Sequence, residues 1–199
     1  MARPRTIDEA RVLRAAREVF VARGAEATTR EVAEAAGISQ AVLFQRYGTK
    51  KRLFFAAMLP KPPALDELIG DMPPAGVKSA RTYLLGLVER LLAWIEPAMP
   101  GALRAALHPD FPAAVAEVHA PGGPDAVRAA IADRLSLLQD RGDLARCIEA
   151  GRLAAVLLEL VHGQALTALL AGTAETRADR AERAGSLLWS GLDPKEKRA

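Results

Sequence analysis

One short segment carries polar side chains whose types match the hydrogen-bonding groups of DNA bases. The amides of Gln40 and Gln45 can pair with N6 and N7 of adenine, and Arg46 can reach guanine or a phosphate. Ala41 and Phe44 offer apolar contact to a thymine methyl group. Such a set can read base edges only if a single element presents it on an exposed side.

The surrounding residues 28–54 predict two short helices joined by a tight turn. Thr28 and Glu31 have the spacing of a capping box that begins the first helix. Gly37 follows the end of that helix, where a left-handed backbone conformation is needed. Ser39 caps the second helix. This pattern is typical of a helix-turn-helix, in which a scaffold helix supports an exposed helix of the right size for a major groove.

Three sequence blocks extend this pattern in order and without gaps: RVLRAAREVFVARG, TTREVAEAAGIS, and QAVLFQRY followed by GTKKRLF. From Ile7 to about Met58, about a quarter of the chain, the sequence resembles the N-terminal DNA-binding domain of the tetracycline-repressor (TetR) family of bacterial transcription regulators. Phe44 stands where that family usually has tyrosine, and Arg46 where an aromatic residue or histidine is frequent.

The resemblance implies phosphate contacts from Thr28, Thr29 and Lys50, to which the N-terminal amides of helices add their own. For each side chain, simple exposure to solvent is the alternative. The predicted DNA-contacting residues are Thr28, Thr29, Arg30, Ser39, Gln40, Ala41, Phe44, Gln45, Arg46 and Lys50.

The composition predicts an all-α protein. Half of the 199 residues are hydrophobic but only 5% are aromatic, and runs of β-branched residues typical of strands are absent. Residues 1–58 carry 11 Lys and Arg against 6 Asp and Glu, whereas residues 59–199 carry 16 against 18. A basic N-terminal segment suits a surface that meets phosphate, although an ordinary solvated surface can carry the same charge.

Pro60, Pro62 and Pro63 interrupt the helical pattern and mark a predicted domain boundary. We therefore predict a three-helix helix-turn-helix domain over residues 1–58. A C-terminal helical domain for ligand binding and dimerisation follows over residues 59–199, with about nine helices in the whole chain. Within the second domain, Ser79 is the predicted cap of a long helix that stops at EPAMPG, before a brief helix over residues 102–107.

The last two predicted helices, residues 148–170 and 176–192, favour a homodimer. The first is apolar nearly all round and must be covered on more than one side, and the second carries small residues at helical spacing. The pair resembles the last two helices of the family, which form a four-helix bundle with a second subunit. Packing within the chain is the alternative. The predicted interface residues are Leu157, Val161, Ala178, Ala181, Ala184, Gly185, Leu188 and Trp189.

The family resemblance also implies a cavity in the C-terminal domain for a small inducer, for which the apolar candidates indicate an apolar or aromatic molecule. Ordinary core packing is the alternative for each residue. On this interpretation the protein is a repressor that a small molecule releases from a palindromic operator in double-stranded DNA. A DNA-binding dimer of the same fold that responds to a protein partner, or to nothing, stays open. The candidate ligand-binding residues are Trp94, Met99, Leu103, Leu107, His108, Phe111 and His162.

An enzyme is not expected, because the sequence has no nucleophile elbow, P-loop or glycine-rich dinucleotide turn. The three histidines lack metal-ligand spacing, so we expect neither a metal site nor a cofactor. The single cysteine, Cys147, excludes an internal disulfide and fits a reducing cytosol. The longest uncharged run, residues 160–174, has 15 residues and is too short to span a bilayer. We therefore expect a soluble protein of the bacterial cytoplasm.

Overall fold

The computed structural model describes residues 8–59, 63–118, 124–172 and 174–194. These ranges contain ten α-helices, one 3-10 turn and no strand, which confirms the all-α prediction. The chain divides into two compact units. Unit 1 comprises residues 1–60 and 100–118, and unit 2 comprises residues 61–99 and 119–199. The assignment of DNA binding to residues 1–58 and of ligand binding and dimerisation to residues 59–199 stays a prediction.

Unit 1 contains four consecutive N-terminal helices and two later pieces of chain. Asp8 caps the first helix by accepting from the amides of Ala10 and Arg11, so the helix begins at Glu9. Ile7, where the family resemblance begins, lies outside the described residues. The helices are α1 (Glu9–Arg23), α2 (Thr29–Ala36), α3 (Gln40–Tyr47), α4 (Lys50–Met58), the last turns of α6 (Val77–Ala106) and α7 (Phe111–Val118).

The core of unit 1 joins α1 to α4. Phe20 is fully buried and packs edge-to-face on Phe54, with ring centroids 5.3 Å apart. The Arg17 guanidinium donates from Nε to the Ala57 carbonyl, 2.8 Å away, at the end of α4. Aromatic pairs in this geometry add to the free energy gained by burial. These contacts fix the direction of α4, which begins directly after α3.

Unit 2 is built from one short helix and four longer ones. Tyr83 and Arg90 donate to carbonyl groups at the end of the short helix, with the Tyr83 hydroxyl 3.0 Å from the Ile69 oxygen. Arg134 donates to the Gly70 carbonyl at 2.9 Å. The carbonyls left over at a helix end are thereby satisfied by side chains. The helices are α5 (Leu65–Ile69), α6 up to Met99, α8 (Pro124–Asp140), α9 (Ala150–Ala171) and α10 (Arg177–Leu192).

Helix α6 corrects two predictions. It begins at Val77, so Ser79 is not its cap, and it continues through Pro97 and Pro100 to Ala106. The predicted stop at EPAMPG and the separate helix over residues 102–107 are therefore wrong. Proline inside a helix costs about 3 kcal/mol, but burial on both sides opposes that cost. Met99 lies in the core of unit 2, and Ala105 is fully buried in the core of unit 1.

Helix α9 is long and apolar enough to cross a membrane by length and composition alone. Its inner positions, among them Leu153, Leu157 and Val161, are buried in the core of unit 2. Only 28% of its most apolar stretch is buried within the chain, however. The helix therefore has a covered side and an apolar side that unit 2 leaves open.

Candidate DNA-binding interface

The turn between α2 and α3 is built by local contacts. The Thr28 amide donates to the Glu31 carboxylate at 2.8 Å, and the Glu31 amide donates back to the Thr28 hydroxyl at 3.2 Å. This is the predicted capping box. Gly37 ends α2 with φ 64° and ψ 37°, a left-handed conformation that glycine adopts without strain. The Ile38 amide then donates to the Ala33 carbonyl at 3.0 Å.

The capping box holds a charge at the beginning of α2. The backbone amide and the hydroxyl of Thr28 both donate to the Glu31 carboxylate and keep the pKa of that group below the ordinary glutamate value. The Thr28 hydroxyl proton is therefore already engaged within the chain. Ser39 has a similar task, because its hydroxyl accepts from the Val42 amide at 3.3 Å. Two of the predicted DNA-contacting hydroxyls thus shape the helices that carry the others.

Helix α3 has a buried side and an exposed side. Leu43 is buried in the core of unit 1, and Val42 and Tyr47 are half-buried beside it. The opposite side is open to solvent and includes Phe44, a large apolar side chain that is 43% exposed. Helical spacing places Gln40, Ala41, Phe44 and Gln45 together on that side, whereas Arg46 is exposed but lies apart from them.

Two contacts organise the predicted residues at the ends of α2 and α3. The Gln40 side chain donates from Nε2 to the Thr29 hydroxyl, 2.8 Å away. Arg30 forms an ion pair with Glu34 at 3.0 Å, four residues along α2. Both partners of that pair are exposed, so the pair is weak. A DNA phosphate can compete for the Arg30 guanidinium.

Helix α4 begins with three exposed basic residues, Lys50, Lys51 and Arg52. Thr49 caps the helix by accepting from the Arg52 amide at 3.1 Å. Lys51 donates to Asp110 at 2.9 Å, and this bond is the leading cause of the lowered pKa of the Asp110 carboxyl. The start of α4 thus places positive charge directly after the exposed helix α3.

The family model described as "Bacterial regulatory proteins, tetR family" matches residues 12–57, which include this helix-turn-helix. Residues 12–57 are therefore similar to the N-terminal DNA-binding domain of TetR-family regulators. TetR-family proteins are DNA-binding transcriptional regulators rather than enzymes, and their regulation responds to ligands. No protein of curated function matches this chain in sequence.

Solved structures of TetR-family regulators share the fold over nearly the whole chain. A TetR-like transcriptional regulator from Rhodococcus sp. RHA1 is 23% identical, with a TM-score of 0.63 over 96% of this chain and 98% of that one. The regulator FadR from Bacillus subtilis, in complex with stearoyl-CoA, is 12% identical, with a TM-score of 0.68 over 92% and 99%.

A third similar structure is NalD, the secondary repressor of the MexAB-OprM multidrug efflux pump in Pseudomonas aeruginosa. It is 19% identical, with a TM-score of 0.63 over 92% of this chain and 95% of that one. At these identities the similarity establishes the fold alone.

The candidate ligand-binding residues fall into both units. Trp94, Met99 and His162 belong to unit 2, where Met99 is buried and Trp94 is half-buried. Leu107 belongs to unit 1 and is 87% exposed, so it is not enclosed by the chain. The other candidates in unit 1 are Leu103, His108 and Phe111.

Unit 2 contains three buried polar atoms that have no hydrogen-bond partner within the part of the chain that the structure describes. They are Nε1 of Trp94, Oε1 of Gln164 and Nε of Arg180, whose other guanidinium nitrogens are bonded. Gln164 was not among the sequence candidates, because a glutamine in an apolar helix gives no sign of whether its amide is satisfied. Within the same described ranges, no three His, Cys, Asp or Glu side chains are grouped so that they could hold a metal ion.

Most of the predicted dimer residues are covered by their own chain. Leu157, Val161, Ala181, Ala184, Gly185 and Trp189 are buried, Leu188 is half-buried and only Ala178 is exposed. At Gly185 an added Cβ would overlap the Leu85 side chain of α6. The small-residue stripe of α10 therefore lets α10 approach α6 closely, which is the intrachain packing that the sequence left open.

Proposed function

We propose that this protein is a TetR-family regulator that acts as a homodimeric repressor, binds a palindromic operator and is released by a small molecule. The observation that carries the proposal is the exposed side of α3, where polar and apolar side chains stand over a buried Leu43. Gln40 and Gln45 supply amides for adenine, and Phe44 supplies an apolar surface for a thymine methyl group. In a dimer, two such helices would enter successive major grooves about 34 Å apart.

Phosphate contacts would orient α3 in the groove. The exposed Lys50 and Arg46 supply positive charge near it, as does Arg30 once its surface pair with Glu34 yields to a phosphate. Thr29 supplies a hydroxyl at the first turn of α2. Contacts of this kind contribute affinity that is independent of sequence and falls steeply with salt concentration.

The second subunit would cover the open apolar side of α9 and α10. Val156, Gly163 and Leu170 are exposed and recur every seven residues, which places them on one side of α9. Leu170 is 74% exposed, and Leu187 on α10 is 70% exposed. An added Cβ at Gly163 would meet open space, so a second helix can approach there. This surface replaces the buried residues as our proposed interface.

The inducer would bind in unit 2. A buried donor or acceptor without a partner is costly, so Trp94 Nε1 and Gln164 Oε1 favour a ligand that supplies the missing partners. A ligand that reached both atoms would carry a hydrogen-bond acceptor for the indole and a donor for the amide oxygen, on an otherwise apolar body. The similar FadR structure is a complex with stearoyl-CoA, which supports a large acyl molecule as one candidate for the ligand.

A fluorescence anisotropy titration tests the proposal. It compares DNA from directly upstream of the protein's own gene with a scrambled duplex of equal length, at several salt concentrations. We expect a preference of about a thousandfold or more and a steep salt dependence. Native mass spectrometry of the same preparation measures the subunit number and any retained ligand. Equal, weak binding to both duplexes by a ligand-free dimer would contradict control of its own gene.

A further inference from the structure

The hydrogen bond between Gln40 and Thr29 joins the two helices of the helix-turn-helix at their first residues. Thr29 is the first residue of α2 and Gln40 the first of α3, and Gln40 Nε2 donates to Thr29 Oγ1 at 2.8 Å. Gln40 is exposed and Thr29 is half-buried. The bond therefore ties a solvent-exposed amide to a hydroxyl held by the scaffold helix.

This bond leaves Gln40 with a defined set of hydrogen-bonding groups. A glutamine amide has two N–H donors and one carbonyl acceptor. With one N–H given to Thr29, one donor and the carbonyl oxygen remain for a ligand. Adenine presents that complement in the major groove, because N7 accepts and N6 donates. Guanine presents two acceptors, O6 and N7, and would place O6 against the Gln40 carbonyl.

Without the hydrogen bond to Thr29, the Gln40 amide can rotate. A free Gln40 could direct both N–H groups toward the two acceptors of guanine, so the distinction between the two purines would weaken. Glutamine is also among the side chains that lose most rotamer freedom when they are held in place. The bond to Thr29 restricts Gln40 before DNA arrives, which reduces the entropy lost on binding.

We propose that Thr29 is a positioning residue that orients the Gln40 amide for adenine and against guanine at one base pair of each half-site. The proposal rests on the proposed function, in which α3 reads base edges. It differs from the phosphate contact predicted for Thr29, which would affect all sequences alike. The Thr29 hydroxyl proton stays available for a phosphate, so only a sequence-dependent measurement separates the two roles.

The experiment begins with selection from a pool of random DNA duplexes by the full-length protein. Wild type, T29V, T29S, Q40A and the double variant T29V/Q40A are compared. Valine keeps the shape of threonine without its hydroxyl, and serine keeps the hydroxyl. Anisotropy titrations then measure each variant on the selected duplex and on duplexes with guanine in place of adenine at the affected position.

We expect wild type to select adenine at one position per half-site and Q40A to lose that preference. T29V should reduce the adenine-over-guanine preference at the same position by roughly three- to tenfold, and T29S should restore it. In the double variant, T29V should add nothing to the effect of Q40A, because Thr29 acts through Gln40. Because T29V also removes the hydroxyl that is predicted to contact a phosphate, the decisive readout is the adenine-over-guanine ratio on matched duplexes rather than the affinity for random DNA.

Two results would overturn the inference separately from the proposed function. If T29V weakened all duplexes equally, or left the base preference unchanged while wild type bound a selected sequence tightly, Thr29 would not position Gln40. If wild type enriched no sequence at all, sequence-specific DNA binding itself would be refuted. Thermal melting of T29V provides the folding control, and a correctly folded T29S keeps the test decisive if T29V unfolds.

Discussion

Glu96 on α6 and Arg180 on α10 form a buried ion pair in unit 2, with 16% and 9% of their side chains exposed. Arg177 joins the same carboxylate at 2.9 Å. Burial raises the pKa of the Glu96 carboxyl, but hydrogen bonds from Arg180 and Arg177 outweigh burial, so the pKa lies below the ordinary glutamate value. The pair links two helices that are far apart in sequence.

Removing the charge of Glu96 should destabilise unit 2. E96Q leaves the Arg180 guanidinium buried without a counter-ion, and breaking a buried pair costs about 3–5 kcal/mol. Because glutamine still offers an acceptor and Glu96 is partly exposed, we expect a loss of about 2 kcal/mol in urea unfolding. E182Q is the matched control, because its pair with Arg81 is exposed and worth about 0–1 kcal/mol. Equal effects of the two substitutions would contradict a special role for the buried pair.

The same pair should make stability depend on acid. A carboxyl whose pKa is lower in the folded state stabilises that state above its unfolded pKa, and this contribution disappears as the pH falls through the folded value. Wild type should therefore lose more unfolding free energy than E96Q when the pH is lowered from about 6 to about 3. Urea titrations across that range measure the difference. If the unfolding free energies of wild type and E96Q changed equally with pH, Glu96 would make no pH-dependent contribution to stability.

Two tryptophans of unit 2 should respond oppositely to the same substitution. Trp189 donates from Nε1 to Asp193 at 3.2 Å, whereas Trp94 Nε1 is buried without a partner among the described residues. W189F should cost about 1 kcal/mol of unfolding free energy, while W94F in the ligand-free protein should be neutral or stabilising. A loss in W94F as large as that in W189F would argue that the indole already has a partner. W94F should also bind the inducer more weakly.

A charged substitution on the exposed apolar side of α9 and α10 should prevent dimerisation, whereas charges on other exposed surfaces should not. L187E should give a folded monomer by light scattering and circular dichroism, because the charge would be buried against the second subunit. Leu137 on α8 is 51% exposed, and L137E should leave the dimer intact. A181E should instead unfold unit 2, since Ala181 lies in its core. A dimeric L187E would refute the interface.

Substitutions of phosphate-contacting and base-contacting residues should have different effects on sequence preference and on the salt dependence of DNA affinity. K50A should weaken binding to all duplexes and reduce the salt slope by about 1. Q40A should lower discrimination at particular base pairs by about 1–3 kcal/mol and leave the salt slope unchanged. Anisotropy titrations on selected and random duplexes measure both quantities. The assignment of roles would be wrong if the two substitutions weakened specific and random DNA equally.

Sequence patterns predicted what short-range contacts determine. The capping box of Thr28 and Glu31 and the left-handed Gly37 depend on residues a few positions apart, and both are present in the structure. The exposed side of α3 also follows from helical spacing around Leu43. The bond between Gln40 and Thr29 was not predicted, because it depends on how two helices cross.

Predictions failed where distant packing outweighs local preference. Pro97 and Pro100 are strong helix breakers, yet α6 passes through both, because residues on either side of them are buried in a core. Gly185 would allow a close contact with a helix of the same chain or of a second subunit, and the position of Leu85 shows that the contact is with α6 of the same chain. Small residues at helical spacing predict a close helix contact but do not identify the partner helix.

In α3 the residue that packs in the core differs from the residues proposed to contact DNA, and this difference affects how the DNA specificity of the protein can evolve. Leu43 is buried in the core of unit 1, whereas Gln40, Ala41, Phe44, Gln45 and Arg46 are exposed. If α3 reads base edges as we propose, substitutions at the outward residues would change the DNA sequence that is bound while the fold is retained. Position 40 is the exception, since its amide is shared with Thr29. Codons 29 and 40 should diverge together, and a mutant library confined to α3 would miss part of the attainable repertoire.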